Sequence, residues 1–128
     1  MNILIIDDDL FTLKALRFNL EHLGHKVVSV ENSERAISMV TENPEGIKFD
    51  LLISDIMMPG ISGLSLITVL RSIHFTTIPI IMMSTLNNKH LLEALYKLGA
   101  NDFINKPIDI EELEIKMRKY DKAIPVLT

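Results

Sequence analysis

The chain has 128 residues, 48% of them hydrophobic and 23% charged, which fits one soluble globular domain with a real core and leaves no room for a second. The absence of cysteine excludes a disulfide scaffold, a zinc-thiolate site and a thiol enzyme, and a net charge of −4 argues against direct nucleic-acid binding. No apolar stretch approaches the roughly 20 residues that span a bilayer, and the first apolar run ends after four residues in three aspartates rather than in a signal-peptide core, so a cytoplasmic protein is expected.

Short β-branched runs then alternate with helical patterns. Ile3 to Ile6 reads as a strand apolar on both faces, as in a parallel sheet covered by helices. Leu13, Leu16, Leu20 and Leu23 form one helical stripe, with Gly24 placed to end it. Val27 to Val30 is a second strand, and Ser33 is the expected N-cap of a helix carrying Ala36, Ile37 and Val40. Phe49 to Ser54 is a third strand that stops at Asp55, before the loop marked by Pro59, Gly60 and Gly63. A helix over Ser62 to Ile73 buries Leu66, Ile67, Leu70 and Ile73. Ile78 to Met83 is a fourth strand with Pro79 near its start; Leu91, Leu92, Leu95 and Leu98 mark a helix ended by Gly99. Phe103-Ile104 is a short fifth strand, and Ile110, Leu113 and Met117 mark a last helix. Five β-α units in succession imply an α/β, doubly wound (βα)5 fold, with a five-stranded parallel sheet and helices on both faces. Residues 1–122 form the expected domain, and 123–128, with Pro125, a tail or the start of a linker.

Ligands of open parallel sheets bind at the carboxyl ends of the strands. Asp7, Asp8 and Asp9 follow the first strand, Asp55 the third, Ser84 and Thr85 the fourth, and Lys106-Pro107 the fifth. Two carboxylates about 4 Å apart repel by roughly 4 kcal/mol at an effective dielectric near 20, so such a rim calls for a cation. Hard oxygen ligands suit Mg²⁺. With Lys106 as a fixed charge and Ser84 as a hydroxyl donor, the set suits phosphoryl transfer to Asp55. Singly, each residue has a plainer reading: Asp9 as a helix cap, Asp55 as a turn residue. Their joint placement at four strand ends carries the weight.

These blocks resemble a response-regulator receiver domain of two-component signalling. The resemblance runs from Asn2 to about Tyr120. It rests on Ile-Ile-Asp7-Asp8-Asp9, on Leu-Leu-Ile-Ser-Asp55-Ile-Met-Met-Pro59-Gly60-Ile-Ser-Gly63, on Pro79-Ile-Ile-Met-Met-Ser84, and on Gly99-Ala-Asn-Asp-Phe103-Ile-Asn-Lys106-Pro107. It implies the flavodoxin-like strand order 2-1-3-4-5 and a phosphoryl group taken by Asp55 from a phosphohistidine on a sensor kinase or phosphotransfer protein. It further implies Mg²⁺ held by Asp7, Asp8, Asp55 and the backbone carbonyl of Met57. Ser84 and Phe103 would be switch residues, Phe103 turning inward as Ser84 approaches the phosphoryl group. Lys106 would pair with that group, and the bond before Pro107 would be cis. The reshaped face of the fourth helix, fifth strand and fifth helix would signal to a partner or output domain. Charges on the last helix (Glu111, Glu112, Glu114, Lys116, Arg118, Lys119) would also suit a homodimer on activation. Such a domain is a signalling device rather than an enzyme, acting only on its own phosphorylation and dephosphorylation; no output domain is expected within this chain.

The sequence departs from the common pattern around the acceptor. Thr85 replaces a small residue on the path to the phosphoryl group, and Met57 and Leu86 stand where water-orienting side chains often occur. A long-lived phosphorylated state is expected. The main rival is a haloacid-dehalogenase-type phosphohydrolase with Asp7 as nucleophile, through the Asp-x-Asp of Asp7 to Asp9. Phe11 stands where that pattern needs threonine or valine. A flavin-mononucleotide binder fits poorly with three aspartates at the first loop, and no P-loop motif occurs. His22, His25, His74 and His90 have no metal-ligand spacing, and the seven methionines are expected to fill core and switch-adjacent volume.

Overall fold

A computed structural model of the chain describes residues 1–122. Five strands, β1 (Asn2–Ile6), β2 (Lys26–Val30), β3 (Leu51–Asp55), β4 (Ile80–Ser84) and β5 (Asp102–Asn105), alternate with helices α1 (Leu10–His22), α2 (Ser33–Thr41), α3 (Gly63–Thr68), α4 (Lys89–Leu98) and α5 (Ile110–Met117). All neighbouring strands pair in parallel, in the order 2-1-3-4-5. The sheet is buried on both faces. Leu4, Ile6, Leu52, Ile80 and Met82 point into one cluster with α2, α3 and α4, while Ile3, Ile5, Ile53, Ile81 and Met83 point into the other with α1 and α5. Period-two alternation thus divides each apolar run between two cores, which is why the runs carry no polar face. The expected tail, 123–128, lies outside the described residues.

Several local readings need correction. The N-cap of α2 is Asn32, whose Oδ1 accepts from the Arg35 N–H at 2.8 Å. Ser33 is instead buried, its hydroxyl donating to the Ile61 carbonyl at 2.8 Å and so tying α2 to the loop after β3. Leu23 is the half-exposed C-cap of α1 rather than part of its buried stripe. The third and fourth strands begin two residues late: Phe49 and Pro79 precede β3 and β4, and Asp55 and Ser84 are their last residues. Pro79 still joins the sheet edge through its carbonyl, which accepts from the Leu52 N–H at 2.9 Å. Ile73 is 61% exposed, not buried. It lies in a π-helical turn, Val69–Ile73, that continues α3. The wider turn rotates later side chains off the stripe that a 3.6-residue period places inward.

Charges on α5 are partly spent inside the chain. Asp102, buried at the start of β5, accepts from Lys116 at 3.2 Å and Lys119 at 2.9 Å, and Arg118 pairs with Glu114 at 3.7 Å. Burial alone would raise the carboxyl pKa of Asp102, but the bonds from Lys119, the Phe103 N–H and Lys116 hold it below the usual carboxylate range.

Gly63 opens α3 against the backbone that leaves β3. A Cβ there would meet the Asp55 carbonyl oxygen at 2.5 Å and the Ile56 Cα at 2.7 Å. Since backbone cannot step aside, Gly63→Ala is expected to cost about 2 kcal/mol or more, read as a lowered urea midpoint against the parent.

Candidate functional site

The register of the sheet assembles the site. Ile6 pairs with Ser54, so the residues that follow, Asp7 and Asp55, stand side by side at the carboxyl edge. Asp55 itself pairs with Met83, Met83 with Ile104, and Lys106 comes two residues after Ile104. The Lys106 ammonium lies 2.5 Å from Asp7 Oδ2 and 3.4 Å from Asp55 Oδ2, bridging the two acids. One carboxylate oxygen each from Asp7, Asp8 and Asp55 lies within 4.8 Å of the others. Asp7 and Asp55 are buried and Asp8 is exposed, so the cluster opens to solvent on the Asp8 side.

The two buried acids differ in what remains available. Asp7 accepts from the Asp9 N–H at 2.9 Å through Oδ1 and from Lys106 through Oδ2, and its side chain is 1% exposed. Asp55 accepts from the Ile56 N–H at 2.8 Å through Oδ1, and its side chain is 10% exposed, with Oδ2 held only by the longer Lys106 contact. Of the pair, Asp55 Oδ2 is the oxygen with room to react. Burial first, then the Asp7 charge, push the Asp55 carboxyl above its usual range, and Lys106 offsets this only in part. Lys106 is shifted upward: burial, the largest influence, opposes its charge, but the bonds and charges of Asp7 and then Asp55 together outweigh it.

Asp9 caps α1, its side chain accepting from the Phe11 N–H at 3.0 Å and the Thr12 hydroxyl at 2.9 Å. The Ser84 hydroxyl oxygen accepts from the Leu86 N–H at 2.9 Å, leaving its own hydrogen to donate. Met57, Thr85 and Leu86 are all exposed. The Lys106–Pro107 peptide bond is cis. Phe103 is buried, packed in the cluster with Leu95 and Ala100, so the inward place is already filled in this structure.

An open groove of about 500 Å³ adjoins the cluster, walled by Phe11, Ala15 and Leu16 of α1 on one side and Pro107, Ile108 and Ile110 on the other, with Thr85 and Lys106 at one end. Phe11 is 84% exposed and Phe18, two turns further along α1, is 64% exposed. Both lie on the helix that opens beside the carboxylates, outside its buried stripe of Leu13, Leu16 and Leu20. Periodicity could place them only by default, as the positions the buried stripe leaves over.

Fold and site together set an acidic cluster with a bridging lysine at the carboxyl edge of a doubly wound sheet. Residues 3–118 match the family model of the response regulator receiver domain, and the chain belongs to that family. It is 27% identical to the transcriptional regulatory protein CrdR of Helicobacter pylori over 97% of this chain and 56% of that protein. It is 35% identical to an uncharacterized 14.6 kDa protein of Leptolyngbya boryana over 98% of this chain and 93% of that one. The chain spans 56% and 30% of two of its curated relatives, CrdR and a cyclic di-GMP phosphodiesterase of Thermotoga maritima. Among solved structures, a two-component response regulator from Clostridium difficile superposes with a TM-score of 0.85 at 28% identity, covering 94% of each chain. The chemotaxis protein CheY4 of Vibrio cholerae shares the fold at a TM-score of 0.84, with 21% identity. This chain is thus a receiver domain of two-component signalling.

A raised Asp55 carboxyl means that the folded protein holds a proton more tightly than the unfolded chain. Its stabilising effect is therefore present at low pH and is lost as pH climbs from the ordinary carboxylate range through the raised value. Asp55→Asn should accordingly raise the urea midpoint at pH 7 in chelator, and the gap should shrink toward pH 4.

Proposed function

We propose that this receiver takes a phosphoryl group onto Asp55 Oδ2 from a phosphohistidine on a partner protein, with Mg²⁺ at Asp7, Asp8 and Asp55. The observation that carries the reading is the Lys106 bridge between Asp7 and Asp55, beside an Asp55 oxygen that keeps room for a new bond. The donor set fits the metal: three hard carboxylate oxygens, one of them on an exposed residue, leave space for the waters Mg²⁺ retains. Met57, next but one to the acceptor, would add its backbone carbonyl. When bound, the ion would supply positive charge for the phosphoryl oxygens and relieve the repulsion among the acids.

The chain's own groups do the rest. Asp55 Oδ2 bonds to phosphorus as the phosphorus–nitrogen bond to the donor imidazole breaks, its electron pair leaving on that nitrogen. Lys106 neutralises charge at the acceptor, and its three ammonium hydrogens let it keep Asp7 while it turns to a phosphoryl oxygen. Ser84, at the end of β4, donates its free hydroxyl hydrogen to another oxygen and draws the loop to α4 with it. With Phe103 already inside, the transmitted change falls on that loop and on the α4, β5 and α5 face, which a downstream protein or output domain would read. Lys116 and Lys119 are engaged with Asp102, so a homodimer through α5 would have to use the remaining charges. The apolar groove and Phe11 beside the acceptor favour a protein donor over a small one. Asp7 as the nucleophile of a phosphohydrolase lacks support, since both its oxygens are already bonded.

Treatment with a small phosphodonor and Mg²⁺ should add one phosphoryl group to the parent and none to Asp55→Asn by intact mass; equal labelling would overturn the assignment. Apolar, exposed Met57 and Leu86 cannot orient water. Introducing Met57→Asn with Leu86→Glu should therefore speed loss of the phosphoryl group by about tenfold or more, followed by the decay of the labelled mass. An unchanged half-life would show that water is limited elsewhere.

A further inference from the structure

Helix α4 is held to the body of the protein unequally along its length. Leu95 is its one fully buried residue, and Leu91 and Leu92 near its start and Leu98 at its end are alike half-buried against the core, so the two ends differ in their hydrogen bonds rather than in burial. Its first turn is capped from within its own segment, Asn88 Oδ1 accepting from the Leu91 N–H at 2.8 Å. Among the described residues, no hydrogen bond ties that turn to another element.

The far end is knotted to three elements at the opposite pole of the sheet from Asp55. Arg71, carried by the π-helical turn after α3, donates through Nε to the Gly99 carbonyl at 3.1 Å, through Nη1 to the Thr76 carbonyl at 3.0 Å, and through Nη2 to Asn101 Oδ1 at 2.9 Å. The same Asn101 oxygen accepts from the Ile80 N–H at 2.9 Å, at the start of β4. Gly99 has φ +117°, and a Cβ there would lie 2.8 Å from Arg71 Cγ, so the arginine stem fills the space that glycine leaves. All three oxygens that Arg71 holds belong to neutral groups, and the described residues give it no ion pair. Its bonds run to the one place where α4, β4 and β5 meet.

We infer that Arg71 is the pivot of α4: switching displaces the Asn88 end while the guanidinium keeps the Gly99 end in place. A ten-residue helix is about 15 Å long, so a tilt of about 10° about Gly99 moves the first turn by roughly 2.5 Å. That displacement begins four residues after Ser84, where the β4–α4 loop starts to move, and fades to nothing at Arg71. The trigger rests on phosphorylation of Asp55 as proposed above; the anchor does not. Arg71 is a positioning residue, remote from the reacting atoms.

Amide hydrogen exchange by mass spectrometry, on the full chain with and without Mg²⁺ and a small phosphodonor, tests this, with intact mass recording the label on Asp55. In the parent, phosphorylation should change exchange about tenfold or more in peptides from 85–92 and less than twofold in those from 96–101. In Arg71→Met, which keeps the apolar stem, 96–101 should exchange about tenfold faster before phosphorylation, and the response to phosphorylation should spread along the whole helix. If that variant does not fold, Arg71→Lys, which keeps the charge and cannot make all three bonds, reads the same two quantities. Equal responses at both ends of α4 in the parent, or unchanged protection of 96–101 in the variant, would overturn the pivot. An unlabelled Asp55 would sink the proposed function instead, leaving the comparison of unphosphorylated proteins to decide the anchor.

Discussion

Negative charge gathered at one edge of a parallel sheet is the constraint on which the rest of the structure depends. Strand register, not local turn chemistry, sets Asp7 beside Asp55, because β1 and β3 end level with each other. A single lysine, delivered from the end of β5, is the compensating cation among the described residues at that edge. Both the site and its tension are therefore properties of the whole sheet. Moving β3 by one residue would turn Asp55 to the other face and into an apolar core.

That tension has a functional sense. A site whose charges are balanced only in part is one where an added cation would relieve the most repulsion. Lys106 shares its proton-rich end between the two acids, with the shorter contact to Asp7. Asp55 is consequently the less restrained of the two, and burial with the Asp7 charge raises its carboxyl pKa because Lys106 offsets them only in part. Around this charged centre the rim is mixed: Met57 and Leu86, with Phe11 and the α1 groove beyond, are apolar, while the pocket on the Asp8 side is lined by Glu31, Glu34 and Arg35. The apolar side would exclude water when another protein covers it.

The fold was legible because short, bounded apolar runs mark the strands and a 3.6-residue pattern marks α1, α4 and α5, and because the strand ends carried residues with no place in a core. The site was legible for the same reason: Asp7, Asp55, Ser84 and Lys106 are conspicuous only once the strands are aligned. Three things escaped. Asn32 and Ser33 are both good caps, and which one caps depends on the Ile61 carbonyl that claims the Ser33 hydroxyl, a contact 28 residues away. Ile73 fits the α3 stripe until a π-helical turn, invisible to a fixed period, turns it outward. Arg71 and the pair Lys116 and Lys119 read as ordinary helix-surface charges, since nothing local shows that a buried carbonyl or the Asp102 carboxylate waits at the other end.

Those missed residues complete the division of labour between the two poles. At the carboxyl edge the chain concentrates unbalanced charge and exposed apolar side chains, where a chemical event can do work. At the amino edge it places bonds that hold: Arg71 across α3, α4 and β4, Asp102 against α5, and Asn101 between β4 and β5. The strands between are buried on both faces and too tightly packed to deform gradually, so a change at one edge must be absorbed by the element with least burial. Helix α4, with one fully buried side chain, is such an element, and its free end lies next to Ser84. Fixing its other end turns a local movement of a loop into a directed tilt of a surface, which a partner can recognise as a different shape.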